Sequence, residues 1–412
     1  MKKLFYLLIL IFFIPLANAQ DWNEVIKAVA SDRAASDEFG NSVSISGNYA
    51  IIGAHTEDED AAGGNYMAGA GSAYIFERDG SGNWNQVQKI VASDRSTGDE
   101  FGTSVSISDN YAIVGAYFDG EDSAGANFMS KAGSVYIYER NGSGNWNQVQ
   151  KIVAFDRAGG NRFGYSVSIS GNFAIAGAYY DSKDATGGNT MNYAGSAYIF
   201  ERDGTGTWNL AQKIVASDRT GYDQFGNAVS ISNNYCIVGA YQADEDTSGG
   251  NSMNYAGSAY FFERNGNSTW SQVQKIVASD RAMNDYFGCS VSISGNYAVT
   301  GALEEDEDAT GGNTLSRSGS AYIYERNGNG TWSQVQKIAA SDRAANDYFG
   351  CAVSISENYI IVGALDEDED VTGGNTIIDA GSAYLFNRDG NGNWNQVQKI
   401  VASDRAIGAD FA

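Results

Sequence analysis

Phe39-Gly40-Asn41-Ser42-Val43-Ser44-Ile45-Ser46-Gly47-Asn48-Tyr49-Ala50-Ile51-Ile52-Gly53-Ala54 reads as two short strands and the turn between them. Val43 and Ile45 alternate with Ser42, Ser44 and Ser46, the two-residue period of a half-buried strand. Gly47-Asn48 supplies a tight turn, and Tyr49 to Ala54 is a second strand. A long acidic, glycine-rich loop follows. Ser72 to Arg78 is a third strand, rich in aromatic and β-branched residues. Asp79-Gly80-Ser81-Gly82-Asn83 is a hairpin loop, and Trp84 to Ala92 is a fourth strand.

This unit recurs. A Phe stands at Phe39, Phe101, Phe163, Phe225, Phe287, Phe349 and Phe411, always 62 residues apart, and all seven Trp keep the same period from Trp22 to Trp394. A fixed period of this size marks a repeat architecture and overrides the two or three domains that 412 residues would suggest. No segment keeps a helical period, and 50 glycines argue against long helices. Four antiparallel strands per repeat is the blade of a β-propeller. The expectation is therefore an all-β propeller of four-stranded blades, with six complete 62-residue repeats. Small Ser, Ala and Gly on the first two strands suit the crowded axis. Trp, Tyr and Phe on strands three and four suit the wider outer gaps. The recurring Phe is expected between blades, with its Gly in a backbone shape closed to other residues.

Phe39-Gly40 leads through Ser-Val-Ser-Ile-Ser to Gly53-Ala54 and on to Gly71-Ser72-Ala73-Tyr74. This resembles the FG-GAP repeat of the integrin α-subunit propeller, in its bacterial form, over residues 30 to 412. The resemblance implies a propeller, usually seven-bladed, used outside the cell for binding or adhesion. Integrin repeats often carry a DxDxDG calcium loop between strands one and two. Here that connection is Ser46-Gly47-Asn48 and its equivalents, so that metal site does not carry over.

The phase of the chain matters. Trp22 to Ala30 reads as a lone N-terminal fourth strand, six full repeats follow, and Phe411 stands where another Phe-Gly would begin. Propellers commonly close by completing one blade from both chain ends. The expectation is a seventh blade left incomplete by truncation; the alternative is six-bladed closure with a spare strand.

Lys2 and Lys3 precede an apolar run from Leu4 to Leu16, and Ala17-Asn18-Ala19 follows as a small-residue cleavage site. Residues 1–19 read as a secretory signal cleaved near Ala19, and 20–412 as the propeller. The run is short for a membrane span of about 20 residues. The expected product is secreted or held at the cell surface, with no transmembrane span. The single Pro, Pro15, lies in that segment. Without Lys2 and Lys3, 24 basic residues face 50 acidic ones, a net charge of −26. Such a balance argues against a nucleic-acid partner and an anionic membrane surface. One histidine, His55, excludes a multi-His metal site, and Cys236, Cys289 and Cys351 read as small buried residues rather than a disulfide framework.

The acidic loops carry the strongest candidate chemistry. Asp60, Asp122, Asp184, Asp246, Asp308 and Asp370 recur, each with an Asn five residues later: Asn65, Asn127, Asn189, Asn251, Asn313 and Asn375. Four loops add an Asp two residues earlier: Asp58, Asp244, Asp306 and Asp368. Calcium takes six to eight oxygens, and a glycine turn lets a loop curl around it. The four loops with both aspartates are the better metal candidates; the other reading is a solvated turn whose Asp and Asn bond its own backbone. The pairs after Gly-Ala vary, from His55-Thr56 through Tyr117-Phe118, Tyr179-Tyr180 and Tyr241-Gln242 to Leu303-Glu304 and Leu365-Asp366. Tyr117, Phe118, Tyr179, Tyr180 and Tyr241 form an aromatic sector that could stack on a sugar or a peptide, or simply cover gaps between blades. The Ser-Asp-Arg runs, Asp32-Arg33 to Asp404-Arg405, read as a ladder of ion pairs joining blades.

A motif repeated six times describes architecture or multivalence, and one His leaves no convincing nucleophile set. The sequence therefore reads as an exported binding or adhesion module for an extracellular protein or glycan, with calcium as the candidate cofactor, and not as an enzyme. The alternatives are a polysaccharide-active enzyme or lectin-like accessory domain, and a structural surface-layer protein.

Overall fold

A computed structural model describes residues 22, 24–409 and 411. The expected signal segment, 1–19, lies outside the described residues. Blade one is β1 (Phe39–Ser46), β2 (Tyr49–Ala54), β3 (Ser72–Arg78) and β4 (Trp84–Ile90). Blade two is β5 (Ser104–Ser108), β6 (Tyr111–Ala116), β7 (Ser134–Arg140) and β8 (Trp146–Ile152). Blade three is β9 (Val167–Ser170), β10 (Phe173–Ala178), β11 (Ser196–Arg202) and β12 (Trp208–Ile214). Blade four is β13 (Val229–Ser232), β14 (Tyr235–Ala240), β15 (Ser258–Arg264) and β16 (Trp270–Ile276). Blade five is β17 (Phe287–Ser294), β18 (Tyr297–Ala302), β19 (Ser320–Arg326) and β20 (Trp332–Ile338). Blade six is β21 (Phe349–Ser356), β22 (Tyr359–Ala364), β23 (Ser382–Arg388) and β24 (Trp394–Ile400). Each blade is an antiparallel meander in chain order, and among the described residues there is no helix.

Register decides the packing. In blade one Val43 opposes Ile52 and Ile45 opposes Ala50, while Ile51 opposes Ile75 on the other face. That second face, with Ile51, Ile75 and Ile90, packs on Val105, Ile107, Val114, Tyr136 and Tyr138 of blade two. Four more such cores join blades two to six in turn. Fully burying one Ile or Val contributes about 1.5–3 kcal/mol, so these apolar layers between sheets hold the array together.

The Phe-Gly pair acts where expected. Phe101 is buried between blades one and two, and Gly102 has φ +98°. A Cβ on Gly102 would lie 2.3 Å from the Ser72 carbonyl oxygen, so no larger residue fits.

Trp22 and residues 24–30, in the segment expected as a strand, form no ladder among the described residues. The segment nevertheless occupies a fourth-strand place. Gln336 of blade five bonds both the amide and the carbonyl of Trp394 in blade six, and Gln398 of blade six bonds those of Trp22 in the same way. On its other side Ser31 bonds Gln86 of blade one, as Ser93 bonds Gln148 of blade two. Six four-stranded blades thus make the ring, and the N-terminal segment stands in the outer slot of a further position between blades six and one.

Candidate functional site

The aromatic sector is brought together by the loops at one end of blades two to four. Tyr117 and Phe118 leave β6 with ring centroids 4.0 Å apart, and Tyr179 and Tyr180 leave β10 with theirs 4.3 Å apart. Tyr165, just after Phe163-Gly164, bridges the two pairs at 5.4 Å from Tyr117 and 4.2 Å from Tyr179. Tyr193 extends the run 4.6 Å beyond Tyr180, and Tyr222 follows at 5.5 Å. Tyr241 heads a second group, 5.6 Å from Tyr286, which stacks on Tyr255. Tyr165, Tyr193, Tyr222 and Tyr255 are exposed, whereas Tyr179 is buried beneath its neighbours.

Arg162 sits among these rings. Its guanidinium carbon lies 4.2 Å from the Tyr180 centroid, 5.4 Å from Tyr179 and 5.5 Å from Phe118, and it donates to the Tyr179 hydroxyl. Lys131 lies 4.2 Å above Phe118. Cations over aromatic faces are attracted by the ring quadrupole. The equivalents of Arg162 are Glu38, Glu100, Gln224, Tyr286 and Tyr348, so this cationic and aromatic patch belongs to one sector of the ring. Burial pushes the Tyr179 phenol up to about 12, so that hydroxyl stays a neutral hydrogen-bonding group at ordinary pH.

Reading along the repeat found Tyr117, Phe118, Tyr179, Tyr180 and Tyr241 but missed Tyr165, Tyr193, Tyr222, Tyr255, Tyr286 and Arg162. The available signal was departure from the repeat at the same end of the blades. Tyr165 replaces the Asn, Thr or Cys that follows Phe-Gly elsewhere, and Arg162 precedes the same Phe-Gly.

The acidic loops spend their candidate ligands on themselves. Asp60 accepts the amides of Ala62 and Gly64 on one oxygen and the Asn65 side chain on the other. Asp246 with Asn251, Asp308 with Asn313 and Asp370 with Asn375 repeat this. Each Asn sits at positive φ, from 39° at Asn251 and Asn313 to 45° at Asn375, a conformation Asn tolerates. Asp58, Asp244, Asp306 and Asp368 accept the amides of Gly69, Tyr255, Arg317 and Asp379, which closes the far side of each loop. The arginine of the Ser-Asp-Arg run then clamps the loop: Arg95 donates to the carbonyls of Asn65 and Asp58, both at 2.8 Å.

The aspartate of that run does the joining, with a lysine that the sequence reading did not single out. Lys213 of β12 lies 2.7 Å from Asp156, in the linker of the blade before, and 2.7 Å from Asp181. The Tyr198 hydroxyl donates to both carboxylates. Lys89, Lys151, Lys337 and Lys399 stand likewise between two carboxylates, and Lys275 pairs with Asp218. The signal was present in Gln-Lys-Ile, which keeps the 62-residue period.

A further acid is buried beside these triads. Burial pushes Asp99 up to about 7, with the Asp119 charge adding to it. Burial likewise takes Asp223 to about 6, Asp285 to about 7 and Asp347 to about 7. Blade three has Asn161 there, donating to Asp181 at 3.2 Å. Oxygens of Asp99, Asp119 and Glu121 gather within 4.8 Å of one another, the one such group of three among the described residues, with the Lys151 ammonium already 2.6 Å from Asp119.

Six stretches of the chain, residues 22–76, 84–138, 146–200, 208–262, 270–324 and 332–386, match the family model described as the FG-GAP repeat. No curated protein matches the chain. Among solved structures it is similar to a protein from Lactobacillus plantarum, at 10% identity and a TM-score of 0.50, covering 90% of this chain and 86% of that one. It is also similar to the periplasmic gluconolactonase of Pseudomonas aeruginosa, at 12% identity and a TM-score of 0.52, covering 89% and 86%. At such identities the likeness shows a shared fold alone.

Proposed function

The chain belongs to the FG-GAP repeat family, and on that premise we propose that it is an exported binding module whose aromatic sector takes an extracellular glycan. The observation that carries this is Arg162 held among the rings of Phe118, Tyr179 and Tyr180, with exposed tyrosines continuing the surface on both sides. Exposed rings offer flat apolar faces to sugar C–H groups, while Arg162 and the tyrosine hydroxyls offer donors to sugar oxygens. The patch is unique to one sector, as a specific site requires, whereas the buried acid triads recur around the ring as parts of its frame. Export is supported by the leader-like residues 1–19, and among the described residues no helix is long and apolar enough to cross a membrane.

The test is titration calorimetry of the protein against neutral and uronic-acid oligosaccharides, with Tyr180→Ala and Arg162→Gln beside the wild type. Saturable binding to a glycan, weakened at least tenfold in both variants at unchanged melting temperature, is expected. Binding untouched by both variants would move the site elsewhere. A silent glycan panel with capture of a surface protein through the same residues would make the partner a protein, and turnover of a bound sugar or lactone would make the module an enzyme.

A further inference from the structure

We propose, resting on the reading that the aromatic sector takes a glycan, that this glycan is acidic and that a sugar carboxylate is held by Arg162 and Lys131. The chain as a whole repels such a ligand, with 50 acidic residues against 26 basic ones. Exposed charges more than about 10 Å apart are largely screened at about 0.1 M salt, so the local balance decides. Blade three and the turn leading into it change that balance at three places. Arg162 stands where blades one and two carry Glu38 and Glu100. Lys183 stands where the other five blades carry a glutamate, such as Glu121. Asn161 stands where the other five carry an aspartate, such as Asp99. At blade two, Asp94 and the group of Asp99, Asp119 and Glu121 therefore share the single ammonium of Lys151. At blade three, Asp156 and Asp181 are matched by Lys213, and Lys183 adds a second ammonium that donates to the Asp156 carbonyl at 2.6 Å.

Backbone geometry brings the two cations together. Arg162 has φ +58°, and its equivalents from Glu38 to Tyr348 lie between 53° and 56°, so the turn is constant and only its side chain changes. The Arg162 amide donates to the Lys131 carbonyl at 3.0 Å, which ties the loop of blade two to the start of blade three. Both cations lie on one ring, the Lys131 ammonium at 4.2 Å and the Arg162 guanidinium carbon at 5.5 Å from the Phe118 centroid. Arg162 gives one side-chain hydrogen bond, to the Tyr179 hydroxyl, and neither cation is ion-paired among the described residues. The triad lysines, by contrast, are spent on carboxylates. A guanidinium stacked on rings keeps edge donors for two parallel bonds to a carboxylate, and an exposed ammonium adds a point charge beside it. Glu100, which faces the Tyr117 hydroxyl, bounds the anion's place on the blade-two side. A uronic acid supplies both parts this surface asks for, a planar anion and a sugar face for the Tyr180 ring.

The test compares a uronic-acid oligosaccharide with the same oligosaccharide after reduction of its carboxyl groups, by titration calorimetry on the full chain. The uronate is expected to bind at least tenfold more tightly, with a preference that shrinks as salt is raised. Lys131→Gln, at an exposed position, is expected to reduce the ratio of the two affinities at least threefold at an unchanged melting temperature. Arg162→Lys keeps the charge and loses the planar fork, and is expected to retain only part of the preference. Equal binding of the two sugars, both weakened by Tyr180→Ala, would overturn the acidic ligand and leave the glycan reading standing. Tighter binding of a sulfated counterpart would overturn the carboxylate. Binding of neither sugar, nor of any other glycan, would overturn both readings.

Discussion

Trp22 meets the ring of Tyr359 edge-on, with centroids 5.4 Å apart, although 337 residues separate them along the chain. The relation repeats one made five times inside the molecule, for example Trp146 on Tyr49 at 5.8 Å and Trp394 on Tyr297 at 5.8 Å. It ties the first described residue to the sixth blade. Edge-to-face pairs contribute about 0.5–1.5 kcal/mol beyond area burial. Trp22→Ala is therefore expected to lower stability by about 1 kcal/mol, measured by urea unfolding. Trp208→Ala, deep between blades, is expected to cost about 3–5 kcal/mol. Equal costs would mean that the N-terminal segment is as deeply integrated as a blade.

Much of this was legible before any coordinates. The fixed period, the Val-Ser-Ile-Ser alternation and the Phe-Gly pair specify strands, blades and their order, because each is a local rule repeated identically. What was not legible depends on contacts between repeats. Nothing local to Lys213 says that its partner is Asp156 in another blade. Nothing local to Trp22 says that its partners are Gln398 and Tyr359 in the sixth blade. The Asp60 and Asn65 pattern was legible as a pattern and ambiguous as chemistry, since the same oxygens suit an ion or their own backbone.

Lys213 is the most enclosed of the triad lysines, with a side chain 1% exposed between Asp156 and Asp181. Truncating one partner of a buried pair leaves the other charge uncompensated, which costs about 3–5 kcal/mol. Lys213→Met keeps the length and removes the charge. It is expected to lower stability by that amount in denaturant melts, and Lys213→Met with Asp156→Asn is expected to recover part of it. A loss below about 1 kcal/mol for the single change would show that the buried pairs contribute little net stability to the fold.

The loop carboxylates of Asp60, Asp246, Asp308 and Asp370 already accept two backbone amides and an Asn side chain each. An ion there would have to displace those donors or settle on the remaining lone pairs. Melting temperatures in millimolar calcium and in chelator are therefore expected to agree within about a degree. A saturable rise with calcium and none with magnesium would show that the folded state binds the ion, through RT ln(1 + [L]/Kd). Asp60→Asn and Asp99→Asn would then separate the loops from the buried acid group.

The buried aspartates set the pH response. Burial raises Asp99, Asp285 and Asp347 to about 7 and Asp223 to about 6, against an ordinary value of 3.8. A raised pKa means that the folded state holds the proton more tightly than the unfolded chain. The stability from that proton is fully present below pH 3.8 and is lost as pH rises through 6 to 7. Over the range from pH 5.5 to pH 8 the melting temperature is therefore expected to fall, and the repulsion within a strongly acidic chain pushes the same way. Blade three supplies the control, because Asn161 already occupies this place and bonds Asp181. Asp285→Asn should mimic it, raising stability at pH 8 by up to about 4 kcal/mol, at about 1.4 kcal/mol per pKa unit over a rise from 3.8 to about 7, and flattening the pH profile. A variant that leaves the slope between pH 5.5 and pH 8 unchanged would show that Asp285 is ionised in the folded protein, its charge held by Lys337 of the neighbouring triad.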